Sequence, residues 1–232
     1  MACILHIETS TAVCSVALSV HRDLVFEKTS YDGPSHAALS GIFVEEALAF
    51  MKGHGCMLDA VAVGGGPGSY TGLRIGTSMA KGLCLGYNIP LIAVPTLDLL
   101  ASGAIRQVKD NRSLYCAMLD ARRMEVYAAV YRADLSVVRE TGADIVTPDI
   151  YNAYLDDNSV YFFGNGAAKC KEMLRSPRAI FVDGIYPLAK DMIALAEKRY
   201  QARQFEDIAY FEPFYLKKFM ATVPKNKVLG GL

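Results

Sequence analysis

The chain opens with a short, nearly continuous apolar run, Cys3-Ile4-Leu5-His6-Ile7, followed by the polar hinge Glu8-Thr9-Ser10-Thr11. Val13–Val20 then resumes a β-rich pattern, so the first twenty residues predict two strands around a turn. Thr29–Pro34 reads as a loop, with Ser30 and Asp32 as candidate caps and Pro34 near a helix start. Pro34–Met51 predicts a helix whose apolar residues (Ala37, Ala38, Leu39, Ile42, Phe43, Val44, Ala47, Leu48, Phe50, Met51) exceed one stripe. Such a helix must be covered twice, by its own sheet and by something else. Asp59–Val63 reads as a short buried strand that leads into a glycine-rich turn and a helix over Thr71–Leu85. Leu91–Val94 is a further strand and Thr96–Gln107 a further helix. The order β-β-α-β-α-β-α predicts an α/β lobe with a mixed sheet.

Leu114–Tyr131 restarts the opening pattern. With Glu8 aligned to Asp120, a shift of 112 residues, both segments show an apolar strand, an acid, a polar hinge and a second strand, Val13–Val20 or Met124–Tyr131. A shift near half the chain suggests two lobes of similar topology from an internal duplication; coincidence between two hairpins is the other reading. Val160–Phe163 reads as a strand ending in Gly164-Asn165-Gly166-Ala167-Ala168, and Pro187–Gln201 as a helix. The expected division is therefore 1–108 for the first lobe, 109–205 for the second and 206–232 for a C-terminal segment that is loose after about residue 218.

Composition narrows the classes. The chain has 232 residues, 52% of them hydrophobic, and can fill a real core. Lys+Arg and Asp+Glu both total 24, which argues against a broad basic surface for nucleic acid on this chain alone. From Lys198 onward there are seven basic and three acidic residues, read as a solvated tail. The six cysteines (Cys3, Cys14, Cys56, Cys84, Cys116, Cys170) are scattered without a CxxC pair, as expected of a protein in a reducing cytosol. MACILHIETS lacks the basic start of a secretory signal, and no run reaches the ~18–20 apolar residues of a membrane span. A cytoplasmic protein is expected.

The sharpest motif is Val63-Gly64-Gly65-Gly66-Pro67-Gly68-Ser69-Tyr70-Thr71-Gly72-Leu73-Arg74-Ile75-Gly76. Clustered glycines between a buried strand and a helix let the backbone turn tightly and leave N–H groups that suit an anion. It is no Walker A loop, because Gly-Lys-Ser/Thr is missing and Lys81 comes too late. It is no dinucleotide fingerprint either, because Ser69 and Thr71 stand where the third glycine belongs. A structural turn capped by Ser69 or Thr71 and a phosphate contact both remain open. Gly72, Gly76 and Ala80 then recur every four residues on one helix face. Glycine inside a helix costs about 0.5–1 kcal/mol against alanine, so such a face suggests the close approach of another backbone. We read that backbone as a partner's, with packing inside the monomer as the other reading.

Glu8-Thr9-Ser10-Thr11 resembles the first phosphate loop of the actin/sugar-kinase/Hsp70 superfamily, which opens with Asp to hold a hydrated Mg²⁺. Thr9, Ser10, Gly66, Gly68 and Ser69 are therefore the candidate nucleotide or phosphate contacts, although Glu8 is one methylene longer than that Asp. Metal chemistry has little support. The histidines His6, His21, His36 and His54 show neither HxxH nor HxxxH spacing, and no metal site is expected. No Ser lies in G-x-S-x-G, and no cysteine has a motif of thiol catalysis, so no catalytic residue is assigned.

Ile4–Thr11, Gly66–Gly76 with Ala80-Lys81-Gly82-Leu83, Asp120–Tyr127, Gly164–Ala167 and Pro213-Phe214-Tyr215-Leu216-Lys217, in this order, resemble the TsaB/YeaZ family over nearly the whole chain. The Gly66–Gly76 block is the most specific of these. The resemblance implies a two-lobed actin-like α/β fold and a heterodimer with the paralogue TsaD. The pairing would be a helical bundle of the helices Pro34–Met51 and Thr71–Leu85, with Leu39, Ile42, Phe43, Gly72, Gly76, Met79, Ala80 and Leu83 as interface candidates. TsaD carries the metal and transfers threonylcarbamoyl to the adenosine 3′ of the anticodon in tRNA, and the ATPase TsaE docks on the pair. The expected role here is a non-catalytic scaffold that reaches tRNA only through the complex and forms a homodimer in isolation. No firmly bound cofactor is implied, with ATP or ADP a candidate at the partner interface. Where TsaD-like proteins have His-x-x-x-His this chain has Thr96-Leu97-Asp98-Leu99-Leu100, and an older glycoprotease label finds no chemistry. Phe219–Leu232 extends past the family pattern. The rival from another class is an autonomous actin-like ATPase or small-molecule kinase that recruits Glu8 or Asp120.

Overall fold

The computed structural model describes residues 2–31, 33 and 36–216. The expectations placed on Asp32, Pro34, Lys217 and the tail after residue 218 lie outside those residues.

The chain forms two five-stranded mixed sheets. Strands β1 (Cys3–Glu8), β2 (Cys14–Val20), β3 (Asp23–Ser30), β4 (Ala60–Gly64) and β5 (Leu91–Val94) lie in the order β3-β2-β1-β4-β5. Strands β6 (Leu114–Asp120), β7 (Glu125–Tyr131), β8 (Val137–Ile145), β9 (Val160–Phe163) and β10 (Ala179–Val182) lie in the order β10-β9-β6-β7-β8. Read from the other edge, the second order repeats the first. The central pairs agree as well: β1–β2 and β6–β7 are antiparallel, β1–β4 and β6–β9 parallel. The duplication inferred from Glu8 and Asp120 is therefore present in the topology. Beyond the first hairpin the 112-residue shift lapses, because the long helix of the first lobe is replaced by the short α4 (Asn152–Leu155).

Helices α1 (His36–Gly53) and α2 (Tyr70–Tyr87) pack on one face of the first sheet. Val44, Ala47 and Met51 of α1 and Ala80 and Cys84 of α2 join Leu5, Ile7, Val16, Val61 and Val63 in its core. Burying a side chain of Val or Met size contributes about 1.5–3 kcal/mol, so Val44 and Met51 together contribute about 3–6 kcal/mol to holding the helix down. Ser69 caps α2, its Oγ accepting from Gly72 N at 3.3 Å, and Asn88 ends the helix in the left-handed conformation with its N–H directed at the Cys84 and Leu85 carbonyls.

Two edge strands of the second lobe, β8 and β10, and β3 of the first were not expected from the sequence, and Thr29 and Ser30, read as loop, end β3. The stretch read as a helix from Pro187 begins as a 3-10 turn, Ala189–Met192, before α5 (Ile193–Gln201).

The expected lobe boundaries need a correction. Helix α3 (Thr96–Val108), assigned to residues 1–108, packs Leu97, Leu100, Ala101 and Ala104 against Tyr115, Ala117 and Phe163 of the second sheet. Helix α5, assigned to 109–205, brings Ala196, and Met192 before it, back onto Ile4, Ala62, Ile92 and Val94 of the first sheet. Each sheet is thus covered by a helix from the other half of the chain. Residues 206–216 belong to the first lobe: Glu206 bridges Leu91 on the β5 edge, and Ile208 and Phe211 join its core.

Candidate functional site

Strand β1 ends at Glu8 beside the end of β4, and the hinge that follows lies on the start of α2. Glu8 is fully buried; its Oε1 accepts from Ser10 N at 2.6 Å, while Oε2 has no partner among the described residues. Burial pushes its pKa up to about 7, only partly offset by the hydrogen bonds from Ser10. Gly64 is required here, because a Cβ would land on Glu8 Oε2. On the same strand His6 is buried against Ser19 Oγ at 2.8 Å, and burial lowers its pKa to about 3.

The two loops that carry the candidate phosphate contacts touch each other. Thr9 Oγ1 donates to Gly72 O at 2.7 Å, and Ser69 N donates to Ser10 O at 2.7 Å. A Cβ at Gly68 would strike the Ser10 carbonyl, and one at Gly72 the Thr9 carbonyl. Thr9 and Ser10 are buried, and the Ser69 hydroxyl is taken up as the helix cap. Gly66, at φ 94°, gives its carbonyl to Thr96 N at 2.9 Å and lies under the backbone of Phe214. That cover continues along the C-terminal strap: Phe214 N donates to Gly65 O at 2.8 Å, and the Tyr215 ring lies 5.0 Å from that of Tyr70.

The small-residue face Gly72–Gly76–Ala80, read as a partner contact, is a second correction. All three positions are buried within the first lobe, and a Cβ at Gly76 would strike Thr9 Oγ1 and approach Val63 to 3.5 Å. The backbone that these glycines admit is the chain's own hinge. Of the remaining interface candidates, Ile42 is 50% exposed, while Leu39, Phe43, Met79 and Leu83 are half-buried, the last three packed on the core between the helices and the sheet. The outward face of the helix pair contains residues that the sequence reading passed over. Leu85 is 77% and Tyr87 41% exposed, and Gly41, Gly82 and Gly86 have open space where a Cβ would stand. The signal was present, since Ser78, Gly82 and Gly86 also recur every four residues, on a separate face of α2.

In the second lobe the equivalent hinge is tied shut by a lysine. Lys169 forms an ion pair with Asp120 and donates to the carbonyls of Arg123 at 2.7 Å and Glu125 at 2.6 Å. Asp120 N donates to Asn165 Oδ1 at 2.9 Å, which joins the hinge to the Gly164–Gly166 turn. Where a His-x-x-x-His pair would begin, Thr96 is buried at the start of α3; where it would end, Leu100 packs into the second core. Asp98 between them accepts from Tyr131 OH at 2.8 Å and lies 3.8 Å from Arg199, so it links α3 to both lobes.

The duplicated sheets, with paired hinges at the ends of β1 and β6, define a two-lobed α/β protein of the actin-like type. Comparison with known proteins narrows this. A family model described as "TsaD: tRNA N6-adenosine threonylcarbamoyltransferase" matches residues 33–225. The chain is 31% identical over 231 residues to the tRNA threonylcarbamoyladenosine biosynthesis protein TsaB of Escherichia coli (strain K12), covering 94% of this chain and 96% of that one. It is 29% identical over 174 residues to TsaB of Bacillus subtilis (strain 168), covering 74% of each. YeaZ from Pseudomonas aeruginosa superposes with a TM-score of 0.80 at 26% identity, over 93% of this chain and all of that one. The chain belongs to the TsaB/YeaZ family of tRNA threonylcarbamoyladenosine biosynthesis proteins. Among the described residues, no helix is long and apolar enough to cross a membrane.

Proposed function

We propose that this protein is a non-catalytic subunit of the machinery that transfers threonylcarbamoyl to the adenosine 3′ of the anticodon, and that it acts by holding TsaD in a competent state. The observation that carries this reading is the contrast between its two surfaces. Both hinges that would have to hold a nucleotide and its metal are closed by the chain's own groups: Thr9 and Ser10 rest on Gly68 and Gly72, and Lys169 pairs with Asp120. The α1/α2 face, by contrast, presents Ile42, Leu85 and Tyr87 beside the open glycines Gly41, Gly82 and Gly86. Apolar side chains flanking positions without a Cβ allow two helix pairs to approach closely. We assign this face to TsaD, and to a second copy of the chain when TsaD is absent. TsaE and tRNA join only the assembled pair, and ATP or ADP belongs at the partner interface rather than in the cleft of this chain.

The test is co-purification of Gly82→Arg with TsaD and TsaE, followed by threonylcarbamoylation of tRNA in vitro. The variant should fold, fail to retain TsaD and fail to support modification. Retention of TsaD with wild-type affinity would remove α2 from the interface. Turnover of Mg-ATP by the isolated chain would replace the scaffold with an enzyme.

A further inference from the structure

A recess of about 380 Å³ opens on the face of the first sheet away from α1 and α2, where α3 and α5 cross between the lobes. It is lined by Arg22 from the β2–β3 turn, Ser102 and Arg106 from α3, Lys190 and Asp191 from the 3-10 turn, and Ile193 and Ala194 from the start of α5. Three cations from three separate elements therefore meet at one opening.

Two carboxylates accompany them. Asp191 Oδ1 accepts from Arg106 Nε at 2.9 Å and pairs with Nη2 at 2.8 Å, and Glu27 pairs with Lys190 at 2.9 Å. Three cations against two carboxylates leave one positive charge in surplus. Arg22 carries it, since it is exposed and has no partner among the described residues. Asp191 does not compete for an incoming anion. It is 5% exposed, and its Oδ2 lies against α3, 2.8 Å from where a Cβ of Gly103 would stand. It acts as a fixed counter-charge that orients the Arg106 guanidinium and leaves Nη1 unused among the described residues.

Arg22 also occupies a position its backbone does not favour. His21 and Arg22 form the two-residue turn between β2 and β3 at φ 56° and 76°. Asn-Gly and its relatives suit such a turn, because asparagine and glycine tolerate the left-handed region. An arginine there is held against local preference.

We propose that this recess binds the oxyanion head of a small molecule, a phosphate or a carboxylate. Arg22 and the Nη1 edge of Arg106 receive the oxygens. Guanidinium groups match both anions through paired N–H donors, and Lys190 adds a point charge. The Ser102 hydroxyl and the apolar Ile193 and Ala194 face the body of the ligand. Because Arg22 stands on the first sheet and Arg106 on the helix that covers the second, occupancy fastens one lobe to the other. This inference is independent of the partner face on α1 and α2.

The full-length chain would be titrated with inorganic phosphate and, separately, with acetate at constant ionic strength, followed by amide NMR shifts and thermal unfolding. Saturable shifts confined to residues around Arg22, Ser102 and Ala194 are expected for at least one anion, and the anion that saturates identifies the class. Arg22→Asn, which keeps a residue tolerant of the left-handed turn, should weaken that binding by about tenfold or more with the unliganded melting temperature unchanged. Ala194→Trp should block binding while leaving every charge in place. The proposal is overturned if neither anion saturates, or if both variants bind as the wild type does.

Discussion

Alanine at Gly76 and alanine at Gly82 make the same chemical change on the same helix, on faces about a third of a turn apart, and should act in opposite directions. In an exposed helix interior, glycine to alanine gains about 0.5–1 kcal/mol, because alanine loses less backbone freedom on folding. Among the described residues nothing lies within 4 Å of a Cβ added at Gly82, so the full gain is expected there. At Gly76 the added Cβ lands on Thr9 Oγ1, which donates at 2.7 Å to Gly72 O. The hydroxyl must rotate away, losing a buried hydrogen bond of about 1 kcal/mol, and the hinge must shift within a packed interior at about 1–3 kcal/mol. Set against the same helix gain, the net loss is about 1–3 kcal/mol. For a chain of this size each kcal/mol moves the midpoint by about 2–4 °C. Calorimetry should therefore show Gly82→Ala rising by about 1–4 °C and Gly76→Ala falling by about 2–12 °C. Equal stabilisation by both would refute the packing of the hinge on α2, and would restore the Gly72–Gly76–Ala80 face to a partner.

Two further outcomes follow from the hinges. Glu8 has a folded pKa of about 7 against an ordinary 4.5, so the folded state holds the extra proton. Its contribution is complete below about pH 4.5 and is lost as pH rises through 7, by about 3 kcal/mol in all. Urea melts of Glu8→Gln should match the wild type near pH 5 and exceed it near pH 8; parallel curves at both values would show that Glu8 reaches water. Lys169→Met removes the donor to Asp120, Arg123 and Glu125, and should open the second hinge to trypsin at Arg122–Arg123. Cleavage there at the wild-type rate, read by mass spectrometry, would mean that the lysine does not hold the turn.

The central strands and long helices could be read from the chain because their residues are buried on a regular period. β5 and β9 fall where the apolar runs Leu91–Val94 and Val160–Phe163 placed them, and α3 differs by one residue at its end. The edge strands could not. β3 and β8 alternate weakly, with exposed Leu24 and Ile145 beside charged neighbours, since each is an edge strand among the described residues. The glycine block could be recognised as a motif but not assigned to a face. Gly72, Gly76, Gly82 and Gly86 share one periodicity, and the chain direction alone does not say which side meets Thr9. Assignment of α3 and α5 by proximity in sequence failed for a related reason. Their apolar stripes, Leu97-Leu100-Ala101-Ala104 and Met192-Ala196, fit either sheet, and only the crossover decides which one they cover.

That crossover governs how the chain can be made. While the ribosome is still synthesising the second lobe, the first sheet lacks α5, and Ile4, Ala62, Ile92 and Val94 are left with Leu99 of α3 but without Met192 and Ala196 over them. The nascent first half is thus an incomplete layer whose sticky side persists until α5 has emerged. The first lobe cannot be released as a finished unit before the second begins, as domains of a multidomain chain usually are. A gene split between α3 and β6 would yield two fragments, each lacking the helix that closes its own sheet, and they should accumulate only when co-expressed.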